Sequence, residues 1–429
     1  NQSTAKAVSS NATYYAITRK DAVSYNATFN GNGASLSSTS ASCTIGATYN
    51  GTAQASSCNA TAPTITRSGY TIIGYNTSAS STTNNSSYNT SSKVLTLNSS
   101  NTGDTWYAVT SKAVTITFDK NGASSIGATS RSCTMYNTNT SCSITSPTIT
   151  ASSNTPTVIG WSTAADTHSN QWRQNTAKSV SANDTYYAQT SKAAKTVTIT
   201  FNKNGATSQT PNGGSASTAT TVNSSCTIAA TYNGVAQAST CNVTSPKITA
   251  STNTPTVVGY STSASGTSSS WNQSTAKAVS SNATYYAITK KDAKTITITF
   301  NKNGASSVSD TSKSCTIAAT YNGTAQATSC SVTSPTITAA SGFSVLGFNT
   351  STSSTSSAWS QNTAKSVSAN DTYYAVTRSS SQYTGTFNAN GATIGSTSQS
   401  CYRYNGASSC NITTPSITRS GFTITGWGT

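Results

Sequence analysis

An Asn-Gly pair recurs along the chain at intervals of about 90 residues, always shortly after a segment in which apolar residues alternate with polar ones. The glycines of successive pairs are 89, 83, 99 and 87 residues apart. The pairs are Asn32-Gly33, Asn121-Gly122, Asn204-Gly205, Asn303-Gly304 and Asn390-Gly391. Self-similarity at a period of this length predicts tandem copies of one small structural unit.

Three further anchors follow each Asn-Gly pair in the same order: a proline, a Gly-aromatic pair and, in each complete copy, a closing aromatic-Tyr-Ala segment. The prolines are Pro63, Pro147, Pro246, Pro335 and Pro415. The Gly-aromatic pairs are Gly74-Tyr75, Gly160-Trp161, Gly259-Tyr260, Gly347-Phe348 and Gly426-Trp427. The closing pairs are Tyr14-Tyr15, Trp106-Tyr107, Tyr186-Tyr187, Tyr285-Tyr286 and Tyr373-Tyr374.

The anchors predict a window of a longer chain, with four whole repeats between two partial ones. The predicted segments are 1–22 (the end of a preceding repeat), 23–111 (repeat 1), 112–193 (repeat 2), 194–293 (repeat 3), 294–379 (repeat 4) and 380–429 (the first part of repeat 5). Residues 1–16 are identical to residues 272–287. Because a tryptophan stands 15 residues before the second closing tyrosine in repeats 2, 3 and 4, we expect a tryptophan to precede Asn1 in the longer chain.

The local patterns predict strands and hairpins. In Lys195–Phe201 the apolar residues alternate with threonine, which is typical of a half-buried strand. Asn233-Gly234 lies midway between two cysteines, where it predicts the tip of a hairpin. The linkers are rich in Ser, Thr, Gly and Asn, and no segment has a helical period with caps. We therefore expect a mainly β chain of tandem small antiparallel domains, each with one disulfide, in an extended array.

Ten cysteines fall into five local pairs, one in each repeat. The predicted disulfides are Cys43–Cys58, Cys133–Cys142, Cys226–Cys241, Cys315–Cys330 and Cys401–Cys410. A crosslink that closes a 15-residue loop contributes about 3 kcal/mol in the chain-entropy model. Such local pairs indicate an oxidising compartment outside the cytosol.

The order of the anchors resembles the Listeria–Bacteroides repeat, the B repeat of internalin-like surface proteins. The residues that carry the resemblance are Phe118-Asp119-Lys120-Asn121-Gly122, Gly69-Tyr70-Thr71 with Gly74-Tyr75, Gly421-Phe422-Thr423 with Gly426-Trp427, and Thr185-Tyr186-Tyr187-Ala188. The resemblance implies a β-grasp-like unit, for which a small sandwich is the alternative, in a stalk or adhesive module of a bacterial surface protein. This chain departs from the family pattern in its longer repeats, its cysteine pairs and its lack of the acidic residues that are usual in the family.

The composition argues against several functional classes. Only 7% of the residues are charged, where about 25% is usual, and the net charge is +16 from scattered Lys and Arg. No basic stripe or zinc-ligand spacing indicates nucleic-acid binding, and no apolar run has the ~20 residues of a membrane-spanning helix. His168 is the only histidine, and no pair of carboxylates recurs for acid–base work. We predict no enzyme activity, no cofactor and no metal site.

These observations favour a structural fibre or stalk on a microbial cell surface, in which repeats contact neighbouring repeats and, in a filament, identical chains. The alternative is an adhesin array that binds glycans or a host or cell-surface protein. Three tryptophans distinguish the two roles, because they belong either to the core or to a sugar-stacking platform. They are Trp172, Trp271 and Trp359.

Overall fold

The computed structural model describes residues 3–429, and these form β-strands joined by turns and loops with no helix among them. Their internal contacts divide them into two compact units. The first contains the residues up to Lys195 together with Ile228–Ala238. The second contains Thr196–Thr227 and Ser239–Thr429.

Most strands are short, and only β11 runs unbroken from repeat 1 into repeat 2. The strands up to Lys192 are β1 Arg19–Lys20, β2 Val23–Asn30, β3 Ser35–Leu36, β4 Ser40–Ile45, β5 Thr48–Tyr49, β6 Ser57–Thr61, β7 Ile65–Thr66, β8 Thr71–Asn76, β9 Tyr88–Asn89, β10 Val94–Asn98, β11 Thr105–Asp119, β12 Ser125–Ile126, β13 Ser130–Tyr136, β14 Cys142–Thr145, β15 Ile149–Thr150, β16 Thr157–Ser162, β17 Ala177–Val180 and β18 Asp184–Lys192.

The same set of strands recurs in the following repeats. They are β19 Lys195–Asn202, β20 Ser208–Thr210, β21 Thr221–Ile228, β22 Thr231–Tyr232, β23 Cys241–Thr244, β24 Lys247–Thr249, β25 Thr256–Ser261, β26 Ala276–Val279, β27 Ala283–Lys291, β28 Lys294–Asn301, β29 Ser307–Val308, β30 Ser312–Ile317, β31 Thr320–Tyr321, β32 Cys330–Thr333, β33 Ile337–Thr338, β34 Phe343–Asn349, β35 Ala364–Val367, β36 Asp371–Ser379, β37 Tyr383–Thr386, β38 Thr393–Ile394, β39 Ser398–Cys401 and β40 Ile417–Thr418.

Each whole repeat contains one four-stranded arrangement of the same topology. In repeat 4 the order is β30-β28-β36-β34. The opening strand β28 pairs antiparallel with β30 but parallel with the closing strand β36, in a register that places Phe300 beside Tyr373. Repeats 2 and 3 have the orders β13-β11-β18-β16 and β21-β19-β27-β25. The prediction of tandem small β domains is confirmed. Each whole repeat also has one parallel strand pair, which is possible because the long segment between its opening and closing strands serves as the crossover connection.

Two short antiparallel ladders complete each of repeats 1 to 4, and in repeat 1 β9 extends the second ladder to three strands. In repeat 4 they join β29 to β33 and β32 to β35. The second ladder places Cys330 opposite Val367, so the strand that leaves the disulfide is paired at once. The proline of each repeat stands just before the short strand of the first ladder, where its missing amide leaves no ladder bond unmade.

The core of each of repeats 1 to 4 is a cluster of aromatic rings packed against the opening strand. Phe300 has its ring centroid 5.0 Å from that of Phe348 and 5.5 Å from that of Trp359. Tyr373, from the closing strand, meets Trp359 edge to face at 5.0 Å. The alternating residues of β28, such as Ile298, supply the aliphatic part of this cluster. The period-2 pattern in the sequence therefore marks the buried face of the opening strand.

The glycine of the Gly-aromatic pair lies at a β-bulge in each of repeats 1 to 4. Gly347 has a φ of 137°, and the register between β34 and β36 shifts at this point. A Cβ atom on Gly347 would lie 2.6 Å from the carbonyl oxygen of Trp359. Only glycine fits here, because the backbone conformation and the close approach of the tryptophan strand both exclude a side chain.

Candidate inter-repeat interface

An asparagine lies at the tip of the disulfide hairpin in every repeat. All five have φ between 50° and 54°, the left-handed region that asparagine tolerates better than most residues. They are Asn50, Asn137, Asn233, Asn322 and Asn405. We call these residues the tip asparagines.

Each tip asparagine forms two reciprocal hydrogen bonds with a threonine at the end of the preceding closing strand. The asparagine amide donates to the threonine carbonyl at 2.9 Å (Asn50–Thr18), 3.0 Å (Asn137–Thr110), 3.0 Å (Asn233–Thr190), 2.8 Å (Asn322–Thr289) and 2.9 Å (Asn405–Thr377). The threonine amide donates to the asparagine Oδ1 at 3.3, 3.1, 3.1, 3.4 and 3.0 Å in the same order. The tip asparagine thus takes the place of a strand residue opposite the threonine.

The asparagine Nδ2 group makes a third contact, to a loop carbonyl of the preceding repeat. Asn233 donates to the carbonyl of Ala165 at 2.8 Å, and Asn322 donates to that of Ala264 at 3.0 Å. The carbonyl of Ala165 also accepts a bond from Asn121, the asparagine of the Asn-Gly turn in its own repeat, at 2.6 Å. One carbonyl with two lone pairs therefore binds a turn asparagine and a tip asparagine together.

The glycine of the Asn-Gly turn allows the tip to approach. A Cβ atom on Gly122 would lie 2.0 Å from the carbonyl oxygen of Asn233, and its φ of 81° is also unfavourable for a side chain. The same close approach occurs between Gly205 and Asn322, where the Cβ would lie 2.1 Å from the carbonyl oxygen. The recurring Asn-Gly turn is therefore a surface against which the next hairpin packs.

The asparagine, threonine, alanine and glycine groups in these contacts are neutral, and each bond contributes on the order of 1 kcal/mol after the exchange with water. Since several bonds recur at each junction, the sum is a large fraction of the stability of a small domain. By contrast, the ion pairs that the structure shows are exposed, for example Lys290–Asp292 at 2.9 Å, and such pairs contribute little.

Two buried tyrosine hydroxyls lie at the Gly-aromatic position. Burial raises the pKa of both Tyr75 and Tyr260 above the usual value. The hydroxyl of Tyr75 donates to the carbonyl of Pro63 at 3.1 Å. That of Tyr260 accepts a bond from Gln209 at 3.0 Å, which lowers its pKa by less than burial raises it.

The predicted cysteine residues form five disulfides within their hairpins, with Cα atoms 5.9 or 6.0 Å apart. The bonds are Cys43–Cys58, Cys133–Cys142, Cys226–Cys241, Cys315–Cys330 and Cys401–Cys410. Each bond closes the base of the hairpin whose tip contacts the preceding closing strand.

The structure places the three tryptophans in the cores of their own repeats. Trp172, Trp271 and Trp359 are each 4% exposed, and each indole N–H donates to a backbone carbonyl at 3.0 Å. A lysine ammonium lies over each ring, for example that of Lys277 at 5.4 Å from the Trp271 ring centroid. A buried ring presents no free face for a sugar. His168, the single histidine, stacks on Tyr232 with ring centroids 3.9 Å apart.

Sequence reasoning identified the hairpin tip of repeat 3 but missed its partner. The signal that points to the partner is a threonine two residues after each closing Tyr-Ala, as at Thr190. The threonine lies in an ordinary alternating strand, so its recurrence does not by itself indicate a contact.

Among residues 3–429, no helix has the length and apolar character that crossing a membrane requires. No curated protein and no solved structure gives a significant match to the chain. Residues 25–100, 115–189 and 383–429 match the sequence model of the Listeria-Bacteroides repeat domain. The resemblance predicted from the anchors is thus confirmed for three regions of the chain, which lie in repeats 1, 2 and 5.

Proposed function

We propose that the chain is a structural part of a fibre or stalk made of tandem β repeats on a microbial cell surface. The observation that carries the proposal is the recurrence of one junction. The same pair of reciprocal bonds between a tip asparagine and a threonine joins each hairpin to the closing strand before it. Because the same contact joins every pair of neighbouring repeats, a chain of this kind can be lengthened by further repeats without a new kind of interface.

The repeat family supports the cell-surface location, because it indicates a bacterial surface repeat protein. The disulfides agree with it, since such bonds persist in oxidising environments outside the cytosol. The disulfide also closes the base of the hairpin that reaches the neighbouring repeat, so it stabilises the part of the repeat that forms the junction.

The surface chemistry suits a spacer. Charged residues make up only 7% of the chain, and the exposed positions of the strands are largely Ser, Thr and Asn. The proposal assigns these repeats no catalytic step. The adhesin alternative loses its predicted aromatic platform, because the three tryptophans are buried.

Negative-stain electron microscopy of the purified chain, with and without reductant, tests the proposal. We expect thin rods or fibres with one bead per repeat that soften or collapse when the disulfides are reduced. Compact particles that do not change with reductant would contradict the structural role.

A further inference from the structure

The hairpins fall into two length classes. The cysteines are 15 residues apart in repeats 1, 3 and 4, and 9 residues apart in repeats 2 and 5. The loop that receives each hairpin, which lies after the proline of the preceding repeat, also differs. We call this segment the receiving loop; it is residues 67–70, 151–156, 250–255 and 339–343 in repeats 1, 2, 3 and 4.

A long hairpin is received by a loop with the sequence Asn-Thr-Pro. In repeat 2, the hydroxyl of Thr155 accepts a bond from the amide of Gly234 at 3.0 Å, and Asn154 donates to the carbonyl of Gly234 at 3.0 Å. Thr155 is fully buried, and its hydroxyl lies 2.8 Å from that of Thr190. The glycine after the tip asparagine is thereby bound through both of its backbone groups.

The junction between repeats 3 and 4 repeats this arrangement. Thr254 accepts from the amide of Gly323 at 3.0 Å, and Asn253 donates to the carbonyl of Gly323 at 3.0 Å. The hydroxyls of Thr254 and Thr289 lie 2.7 Å apart. The Asn-Thr pair in the loop is therefore a specific receptor for the Asn-Gly tip of a long hairpin.

A short hairpin is received by a loop with the sequence Ser-Gly-aromatic. In repeat 1, Arg67 stacks on Tyr70 with its guanidinium 3.6 Å from the ring centroid. It donates to the hydroxyl of Thr110 at 2.8 Å and to the carbonyl of Asn137, the tip asparagine of repeat 2. At this junction the arginine lies 3.2 Å from the Cβ position of the turn glycine, Gly33, whereas the turn glycine of each of repeats 2, 3 and 4 meets an Asn-Gly tip.

The junction between repeats 4 and 5 again joins an arginine to an aromatic ring. Here the arginine belongs to the hairpin and the ring to the receiving loop. Arg403 of the short hairpin lies over Phe343 of the receiving loop at 5.8 Å from the ring centroid. The backbone of Arg403 also bonds to Ser379, at the end of the closing strand. Both short hairpins therefore meet a Ser-Gly-aromatic loop through an arginine.

We propose that the receiving loop selects the hairpin class of the repeat that docks on it. An Asn-Thr-Pro loop fits a long hairpin with an Asn-Gly tip, and a Ser-Gly-aromatic loop fits a short one. A long hairpin on the loop of repeat 1 would bring its tip glycine onto Arg67. The hairpin of repeat 2 on an Asn-Thr-Pro loop would place Thr138, not glycine, at Thr155.

The loop of repeat 5 carries the same signature as that of repeat 1. Arg419 lies over Phe422 at 4.1 Å from the ring centroid and stands 3.2 Å from the Cβ position of Gly391, as Arg67 does at Gly33. We infer that this surface fits a hairpin with a 9-residue cysteine spacing. The inference concerns junctions alone and does not depend on the proposed function.

Hairpin exchange in the full chain tests the rule. Replacing residues 227–240 with residues 134–141 places the short hairpin of repeat 2 on the Asn-Thr-Pro loop of repeat 2. We expect the amide of Thr190 to exchange its hydrogen about 25-fold faster, the factor for two hydrogen bonds lost at about fivefold each. As a matched control, replacing 227–240 with 316–329, a hairpin of the same class, is expected to leave the rate within about twofold.

A rescue variant separates mismatch from a general fault in the grafted hairpin. It combines the short hairpin with replacement of residues 151–157 by residues 67–71, which supplies the Ser-Gly-aromatic loop. Restored protection of Thr190 is expected. Full protection in the mismatched variant, or no recovery in the rescue variant, would overturn the proposal.

Two point variants test the contacts without altering hairpin length, and so remain informative if a grafted hairpin does not fold. Thr155→Val is expected to speed exchange at the amide of Gly234 about fivefold, and Arg67→Ala is expected to do the same at Thr110. Unchanged rates at both amides would show that the loops do not recognise the tips.

Discussion

Asn233 and Thr190 form a reciprocal pair in which each residue donates its amide to an oxygen of the other, at 3.0 and 3.1 Å. Asn233 belongs to a hairpin tip and Thr190 to a closing strand of the preceding repeat. The pair therefore reproduces a piece of sheet between two elements that are more than 40 residues apart in the chain. The left-handed conformation of Asn233, with φ of 50°, turns both its amide and its side chain toward the threonine.

Substituting the tip asparagine tests the contribution of its side chain and its conformation. Asn233→Ala loses the Oδ1 and Nδ2 bonds and also places an alanine at positive φ, so local stability should fall by about 2–4 kcal/mol. Asn233→Gly loses the same bonds without the strain and should cost about 1–2 kcal/mol. Hydrogen exchange at Thr190 measures both. Equal effects of the two variants would show that the conformation contributes nothing.

Adding a methyl group to the turn glycine should block docking. Gly122→Ala places Cβ 2.0 Å from the Asn233 carbonyl, whereas Gly51→Ala, at a similar φ of 75°, meets nothing within 4 Å. Both variants pay the strain of positive φ, about 1–2 kcal/mol. Only Gly122→Ala should also abolish the protection of the Asn233 amide, and retention of that protection would contradict the close approach.

The closing-strand threonines provide an internal contrast. The hydroxyl of Thr190 bonds to that of Thr155, but the hydroxyl of Thr377 is buried without a hydrogen-bond partner. Thr190→Val should therefore cost about 1 kcal/mol, and Thr377→Val should be neutral or slightly stabilising. Unfolding of each variant in increasing urea, with hydrogen exchange as the readout, measures this difference in stability. A loss of stability in Thr377→Val would show that its hydroxyl has a partner in solution.

The buried tyrosines predict a loss of stability at alkaline pH. Tyr260 has a pKa raised by burial, while in the unfolded chain it ionises near 10. Stability is therefore complete below pH 10 and falls above it, because the unfolded chain releases a proton that the folded chain retains, by about 1.4 kcal/mol per pH unit for each such tyrosine. Urea unfolding between pH 8 and 11 should show a shallower fall in Tyr260→Phe. Parallel curves for the two proteins would contradict this account.

The disulfides should contribute nearly equally despite their different loop lengths. Replacing both Cys226 and Cys241 with serine should cost about 3 kcal/mol, and the same change at Cys133 and Cys142 about 2.6 kcal/mol, since the entropy of loop closure varies only with the logarithm of length. Exchange at opening-strand amides of repeats 3 and 2 measures the two costs. A much larger loss for the long hairpin would point to a role in docking beyond loop closure.

The sequence predicts the local features of this fold well. The alternation in Lys195–Phe201 gives a strand with Val197, Ile199 and Phe201 fully buried, and the Asn233-Gly234 pair gives a hairpin tip. These features depend on neighbours in the chain, so local patterns carry them. Of the two roles left open for Trp271, its position favours the core, because the ring is buried and packs against Phe201 at 5.2 Å.

The sequence does not predict features that depend on distant segments. The parallel register between the opening and closing strands, as at Phe300 and Tyr373, has no local signal. Docking of Asn233 is hidden for a related reason, since an Asn-Gly pair predicts a turn whether its tip is free or bound. The role of Arg67 depends on Thr110 and Asn137, which lie 43 and 70 residues away.

Hydrogen exchange of the full chain tests most directly the claim that the hairpin tips join neighbouring repeats. The amides to follow are those of the tip asparagines Asn137, Asn233, Asn322 and Asn405. The account predicts that they exchange as slowly as amides of the opening strands, because each is bonded to a closing-strand threonine. Exchange at the rate of a free turn would contradict the account, since it would mean that the hairpin tips are not docked in solution.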